Sequence, residues 1–400
     1  MAVADPKSTQ VLRFGVAGLG IASTQILPAF AGRPGLEIRA AADIRPDALK
    51  RFADEFEGET YQSVAEMAAS PNVDAIYVCS PNHLHCEHVI AAVEHGKHVI
   101  VEKPMGLNLD ECERMNAAAE KNGVNLLCGH THSFDPPIQK MQEIVRSGEL
   151  GKLGMINTWN FNEFMYRPRM PHELDPKVGG NVVFNQGPHM VDVVRLIGGG
   201  MVRSVRAMTG VWDASRKVEG AWTAYIEFED GTPATLVYNG YGHFDTAEFF
   251  WWVGEGGTPR AAETNLNVRK ALKETGDETL LKEAQRYGGT GGGGHGEGAA
   301  ERHQPFFGLT VVSCEHGDIR QSQDGLFIYG DERKWEVPVP VGAQGRAAEL
   351  QELYDAVVGG RPVRHDGRWG EATLEVVLGI MESARERKEV FMSHQVPAAS

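Results

Sequence analysis

The 400-residue chain has no apolar run approaching the ~20 residues that a membrane-spanning helix needs. Its first ten residues, Met1–Gln10, are polar and lack an apolar signal core, so a cytoplasmic location is expected. Cysteine is scarce. The five present, Cys79, Cys86, Cys112, Cys128 and Cys314, are odd in number and follow no C-x-x-C spacing. That argues against a disulfide framework or a zinc ribbon and fits free thiols in a reducing compartment. Positive charge is also short: 39 Lys and Arg stand against 54 Asp and Glu, a formal charge of −15. So acidic a chain is a poor partner for nucleic acid or an anionic membrane surface.

Glycine, by contrast, is plentiful, at 47 residues, and its placement is informative. The length suits two or three domains. Up to about residue 132 short apolar runs alternate with helical stretches. Leu12–Ala17, Leu36–Ala42, Ala75–Cys79, His98–Val101 and Val124–Cys128 read as strands covered on both faces. Ala22–Gly32, Pro46–Phe56, Val64–Ala69, Leu84–His95 and Leu109–Asn122 read as the helices between them. This alternation predicts a doubly wound parallel sheet over residues 1–132.

The pattern then changes. A helix over Asp135–Ser147 is followed by β-rich segments: Met155–Glu163, Val202–Val211, Trp222–Phe228, Thr235–Tyr241, Phe249–Gly254, Leu309–Cys314 and Gly325–Tyr329. One helix, Pro188–Ile197, interrupts them, and Ala347–Val358 and Glu371–Glu386 close the chain as helices. Residues 133–400 thus read as an α+β domain on a large, mostly antiparallel open sheet. Between 258 and 301 the chain turns polar, with eight glycines between 288 and 298. That segment reads as a flexible surface loop, because little apolar area offsets its ordering entropy.

Gly18-Leu19-Gly20-Ile21-Ala22-Ser23 follows the first strand and opens a helix, the setting a dinucleotide fingerprint requires. Gly18 permits the turn, Gly20 lets the backbone approach a pyrophosphate, and the amides from Ile21 and Ala22 onward open the helix toward it. The third glycine position holds Ser23. Asp43, at the end of the second strand, is placed to accept from ribose hydroxyls and favours NAD, while Arg45 leaves NADP open. The competing reading has Asp43 merely capping the next helix.

Val101-Glu102-Lys103-Pro104 lies at the carboxyl edge of the sheet, where ligands bind. Together with Ser80-Pro81-Asn82-His83-Leu84-His85 and the stretch from Gly179 to Asp192, it resembles the glucose–fructose oxidoreductase/inositol dehydrogenase (Gfo/Idh/MocA) family along nearly the whole chain. Pro168-Arg169 through Asp175, Phe184-Asn185-Gln186 and His365–Gly370 look like its phthalate 4,5-cis-dihydrodiol dehydrogenase subgroup. The resemblance implies hydride transfer between a secondary alcohol and a nicotinamide. Lys103 would contact the reacting hydroxyl and the nicotinamide ribose. His189 would act as general base, its ordinary pKa of ~6.5 being near working pH. Glu102, Ser80, Asn82 and His85 would line the cofactor.

Many relatives carry Asp four residues before this His; here the position is Asn185, which orients substrate but holds no charge. Losing that negative charge suits an anionic substrate. Arg167 and Arg169 are nominated to bind its carboxylates, with Lys103 as a third cation. The reaction so implied oxidises phthalate 4,5-cis-dihydrodiol to 4,5-dihydroxyphthalate. A sugar, inositol or glycoside oxidoreductase is the alternative within enzymes, and a dinucleotide-binding regulator without turnover the alternative outside them.

His83, His85, His130 and His132 invite a metal reading, but no Cys or carboxylate cluster accompanies them, so no metal is expected. Cys79 and Cys128 read as buried small hydrophobes. Trp251 and Trp252 read as strand residues at an interface, in keeping with a homo-oligomer formed through the open face of the second sheet.

Overall fold

A computed structural model describes residues 10–290, 302–342 and 345–399. The first nine residues and the glycine run beyond Thr290 lie outside that range, and with them most of the polar opening and the last part, 291–301, of the expected loop.

The first sheet is parallel. Its strands are β1 (Leu12–Ala17), β2 (Leu36–Ala42), β3 (Glu59–Tyr61), β4 (Ala75–Val78), β5 (His98–Glu102) and β6 (Leu126–Gly129), in the order β3-β2-β1-β4-β5-β6. Phe14, Val16, Ile76, Tyr77, Val99 and Ile100 are fully buried, as strands covered on both sides require. The crossovers are α1 (Ser23–Ile26), α2 (Pro46–Phe56), α3 (Val64–Ala68), α4 (His85–Glu94) and α5 (Leu109–Asn122). α5 starts at Asn108, whose side chain accepts from the Glu111 amide, and stops at Gly123 in the left-handed region. The expected helix over Ala22–Gly32 is shorter. It tightens into a 3-10 turn over Leu27–Phe30 because Pro28 has no N–H to continue the ladder. The sequence reading also missed β3, which is only three residues long.

α6 (Pro136–Ser147) leads into the second sheet. That sheet has nine strands: β7 (Leu153–Phe161), β8 (Val202–Gly210), β9 (Ala221–Phe228), β10 (Pro233–Asn239), β11 (Leu309–Cys314), β12 (Gly317–Gln321), β13 (Gly325–Gly330), β14 (Lys334–Pro338) and β15 (Val390–Phe391). The order is β14-β13-β12-β11-β7-β10-β9-β8-β15, antiparallel except for β7 beside β10. α7 (Val182–Gly198) and, near the chain end, α11 (Gly367–Glu386) cover one face. The other face presents Met155, Trp159, Met208 and Tyr225 to solvent in the single chain.

Two expectations fail here. Phe249–Gly254 is not a strand. It is a 3-10 turn over Thr246–Phe250, capped by Asp245, followed by Trp251 and Trp252 in the left-handed region. The polar 258–290 segment is not structureless, since it forms α8 (Thr264–Thr275) and α9 (Glu278–Ala284). Polar anchors replace apolar burial there. Buried Asn265 donates to the Gly242 carbonyl at 3.2 Å, and Arg269 donates to Tyr241 and Gly242 carbonyls at 2.6 and 2.9 Å.

Of the closing helices, α10 (Gly345–Gly359) packs on β5 and β6 of the first sheet, and α11 ties the two sheets together by packing on β6 and on β8. Trp369 of α11 donates its indole N–H to Asp192 of α7 at 2.5 Å, and Arg195 stacks on the Trp369 ring at 3.8 Å. A Cβ at Gly370 would lie 2.8 Å from that of Cys128. The His365–Gly370 motif therefore buckles α11 against β6 and the catalytic helix α7.

Candidate active site

The turn after β1 is built for a close backbone approach. Gly18 has φ +98°, and a Cβ there would come within 3.0 Å of the Cys79 carbonyl and Ser80 backbone. A Cβ at Gly20 would meet nothing within 4 Å, so the cradle is open beside the amides of Ile21 and Ala22. Ser23, at the third glycine position, is fully buried and donates to the Gly20 carbonyl at 2.8 Å. It braces the turn instead of obstructing it.

Asp43 accepts from the Leu19 amide at 2.7 Å and from the Arg45 amide at 2.8 Å. It is not the cap of α2, whose N-cap is Arg45 without a side-chain bond. Arg45 Nε adds a third, longer bond at 3.3 Å, so of about four lone-pair sites on the carboxylate one stays open to a ribose hydroxyl. Arg45 is turned inward, donating to the Leu19 carbonyl at 2.5 Å and toward the Tyr287 carbonyl at 3.4 Å. Its guanidinium is engaged rather than free for a 2′-phosphate. These groups fit NAD.

Around the nicotinamide end the structure redistributes two expected roles. His85 is fully buried, and its two nitrogens lie 2.9 Å from the Pro104 and Ser80 carbonyls. Burial pushes its pKa down to about 4. It pins the Ser80 loop to the loop after β5 and is a positioning residue, not a cofactor contact. Ser80 itself bonds His88 through its hydroxyl at 2.9 Å, and Asn82 opens the adjacent 3-10 turn. Glu102 points into the protein, where Arg346 of α10 holds it at 2.6 Å. Arg346 also holds Glu349 at 3.0 Å, and the Tyr77 hydroxyl bonds Glu349. The sequence reading missed Arg346, Glu349 and Tyr77 altogether.

Lys103 and His189 come together across the site. α7 begins at Asn181, whose side chain accepts from the Phe184 amide at 2.7 Å. Its start six residues before the expected boundary places both Asn185 and His189 on the helix. Gly180 allows the preceding turn, since a Cβ there would lie 2.5 Å from the His172 carbonyl. The Lys103 ammonium donates to the Asn185 carbonyl at 2.9 Å. Asn185 spends its amide N–H on the Asn181 carbonyl at 2.9 Å, a bond that an Asp could not make.

Burial lowers the Lys103 pKa to about 8, against the pull of Glu102. Burial, with Lys103 and His132 nearby, pushes His189 well below 6.5, not near working pH as expected. The imidazole is thus neutral at neutral pH and able to accept a proton beside a charged ammonium. His132 packs edge-on to His189 with ring centres 4.8 Å apart, and Asp135 bonds its Nδ1 at 2.9 Å. His130 is buried 3.8 Å from Asp192. Both histidines are site wall and core. Among the described residues no cluster of three or more His, Cys, Asp or Glu could hold a metal ion, and no helix is long and apolar enough to cross a membrane.

The two nominated arginines have different fates. Arg169 is 8% exposed, donates to the Phe164 carbonyl at 2.5 Å, reaches Glu173 at 3.4 Å and lies over the Phe164 ring. Burial lowers its pKa to about 10. It is spent on the wall, where α9 also clamps the segment through Lys282–Glu173 at 3.0 Å. Arg167 bonds Glu163 at 2.8 Å but keeps an outer edge, where Glu255 sits at 3.5 Å. Cys79 and Cys128 are buried, and their thiol pKa values are raised by burial.

Comparison with known proteins agrees with this layout. Residues 12–130 match the profile described as "Oxidoreductase family, NAD-binding Rossmann fold", and residues 138–260 match the GFO/IDH/MocA C-terminal domain. The chain is 35% identical over 378 residues to the 1-carboxy-3-chloro-3,4-dihydroxycyclohexa-1,5-diene dehydrogenase of Comamonas testosteroni, covering 94% of this chain and 95% of that one. A solved structure from Bordetella bronchiseptica RB50, assigned as a dehydrogenase, is 40% identical with a TM-score of 0.90, covering 96% of this chain and 100% of its own. The fold is also that of the WlbA dehydrogenase of Chromobacterium violaceum, solved with NADH and UDP-GlcNAcA, at 19% identity and a TM-score of 0.72 over 98% and 99% of the chains. With both domains matched and a full-length relative at this identity, the chain belongs to the Gfo/Idh/MocA oxidoreductase family and is an NAD-binding dehydrogenase.

Proposed function

We propose that this enzyme oxidises a cis-diol on a carboxylated cyclohexadiene ring to the corresponding catechol. The observation that carries the reaction type is the Lys103 ammonium donating at 2.9 Å to the backbone carbonyl of Asn185, one helical turn before the buried His189. Bound NAD supplies the acceptor for the hydride leaving the hydroxyl-bearing carbon. Nε2 of His189 takes the hydroxyl proton; its Nδ1 is buried without a protein partner. The Lys103 ammonium stabilises the oxygen as it becomes alkoxide-like and then ketone. The ring ketone tautomerises to an aromatic diol, so the chain need only align one C–H and remove one proton.

The substrate class rests on the full-length relative, whose name gives a ring with one carboxylate and two hydroxyls, and on Arg167, the one of the two nominated arginines with an outer edge. Phthalate 4,5-cis-dihydrodiol, oxidised to 4,5-dihydroxyphthalate, falls in this class. The test is a comparison of NADH formation with three substrates: a monocarboxylated cis-dihydrodiol, the phthalate dihydrodiol and myo-inositol. Turnover of either dihydrodiol at a kcat/KM well above that of inositol is expected. Inositol turned over best would replace this reading with a polyol dehydrogenase.

A further inference from the structure

The loop that carries Glu255 is built with more care than a surface turn needs. Val253 and Pro259 pair as an antiparallel bridge, Gly254 donates to the Thr258 carbonyl at 2.9 Å, and Gly257 donates back to Gly254 at 3.0 Å. Glu255 sits at the tip. Two successive bulky residues, Trp251 (φ 53°) and Trp252 (φ 60°), hold left-handed conformations just before the hairpin. They are held there by the Trp252 amide on the Ala247 carbonyl at 3.0 Å and the Arg260 amide on the Trp252 carbonyl at 2.7 Å. The far side is packed too, since a Cβ at Gly257 would lie 2.5 Å from the His303 carbonyl.

This hairpin aims its carboxylate at Arg167. The guanidinium has two carboxylate partners of different kinds. Glu163 is 2% exposed, bonds Arg167 Nε at 2.8 Å, and has its other oxygen taken by Arg260. Glu255 is 37% exposed and touches Nη2 at 3.5 Å. The first pair is a close hydrogen bond from the buried side; the second is a longer contact to a partly exposed carboxylate, which nonetheless supports the Arg167 charge. Glu255 also favours the charged form of Lys103, which burial opposes.

We infer that Glu255 is a resident stand-in for the substrate's carboxylate. It occupies the outer edge of Arg167 in the free enzyme and gives it up when a substrate carboxylate arrives. Exchange of one carboxylate for another keeps the Arg167 charge matched throughout. Glu255 thereby sets a threshold: only a ligand that brings its own carboxylate to Arg167 restores the pair it breaks. This deepens the carboxylated-substrate reading and depends on it.

The test uses the full chain loaded with NAD and benzoate as a probe, since benzoate carries the ring and carboxylate but cannot react. Benzoate Kd is measured by calorimetry for the wild type and for Glu255→Gln, Arg167→Gln and the double variant. With the stand-in charge removed, benzoate is expected to bind about two- to fivefold more tightly to Glu255→Gln, the range of a solvated ion pair. That gain should vanish in the Arg167→Gln background. Unchanged or weaker binding in Glu255→Gln, or an equal gain in the double variant, overturns the proposal. In turnover, the KM ratio of a carboxylated to an uncarboxylated cis-dihydrodiol should fall by the same factor. If neither dihydrodiol turns over while the benzoate pattern holds, the substrate reading fails and the stand-in survives.

Discussion

The enzyme manages charge in two ways at its two ends. Behind the nicotinamide, Glu102, Arg346, Glu349 and Tyr77 form a closed cluster, with side-chain exposures of 8%, 12% and 0% for the three ions. Burial acts to lower the Arg346 pKa, yet Glu102, Tyr77 and Glu349 hold it well above its ordinary value. At the substrate end, Arg167 is 30% exposed and shares its outer edge with a solvated Glu255. The closed cluster serves the step common to every turnover, fixing the strand end from which Lys103 projects. Such preorganisation needs groups that do not move. The open pair serves selection, which needs a contact that can be exchanged at low cost.

The largest effect should come from opening the closed cluster. Arg346→Met leaves Glu102 and Glu349 buried without their cation. Breaking a buried pair in this way costs about 3–5 kcal/mol. The denaturation midpoint should fall accordingly, and Arg346→Lys should recover part of the loss. A midpoint equal to wild type would mean that the cluster is solvated and that the contrast between the two ends is false.

That cluster is also where reading the sequence stopped. The parallel sheet and the phosphate turn at Gly18 and Gly20 are legible because each is a local pattern with its own physical requirement, whereas His189 and the role of Lys103 are reached only through the family resemblance. Arg346 is legible in neither way, since it meets Glu102 only after the chain has built a second sheet and returned through α10. Glu255 was hidden for a related reason: Trp251 and Trp252 look like strand residues, and only the surrounding bonds turn them left-handed. Apolar content does not measure order in the polar 258–290 segment, because Asn265 and Arg269 order it through backbone carbonyls. Arg167 and Arg169 look alike in sequence. Both lie against the Phe164 ring; their difference is in burial, Arg169 being closed off and Arg167 keeping an exposed edge.

A smaller effect should separate activity from stability. Lys103 keeps a pKa of about 8, below its ordinary 10.5, because burial penalises the ammonium. The unfolded chain therefore holds this proton more tightly, and between those values it binds more protons than the folded enzyme. Stability contributed at this position rises with pH across that window. Activity should do the reverse, since kcat/KM depends on the charged form and declines above about pH 8. On the acid side, kcat/KM should hold until well below pH 6.5, where His189 protonates. A pH series of kcat/KM beside denaturation midpoints for wild type and Lys103→Met checks both. If activity still climbs between pH 8 and 10, the ammonium is not the form that stabilises the reacting oxygen.

The smallest effect is expected where the pair is meant to open. Glu255→Gln removes one partner of a solvated ion pair and keeps the hairpin's backbone bonds, so stability should change by no more than about 1 kcal/mol. Arg167 loses little, because Glu163 still holds it at 2.8 Å from the buried side. Measured under the same conditions as Arg346→Met, the two substitutions form a direct comparison: each breaks an arginine–carboxylate pair, one closed and one open. A loss for Glu255→Gln approaching that of Arg346→Met would show that Glu255 is a fixed strut of the wall. It would then be unable to yield Arg167 to a substrate, and selection would have to reside elsewhere on the second sheet.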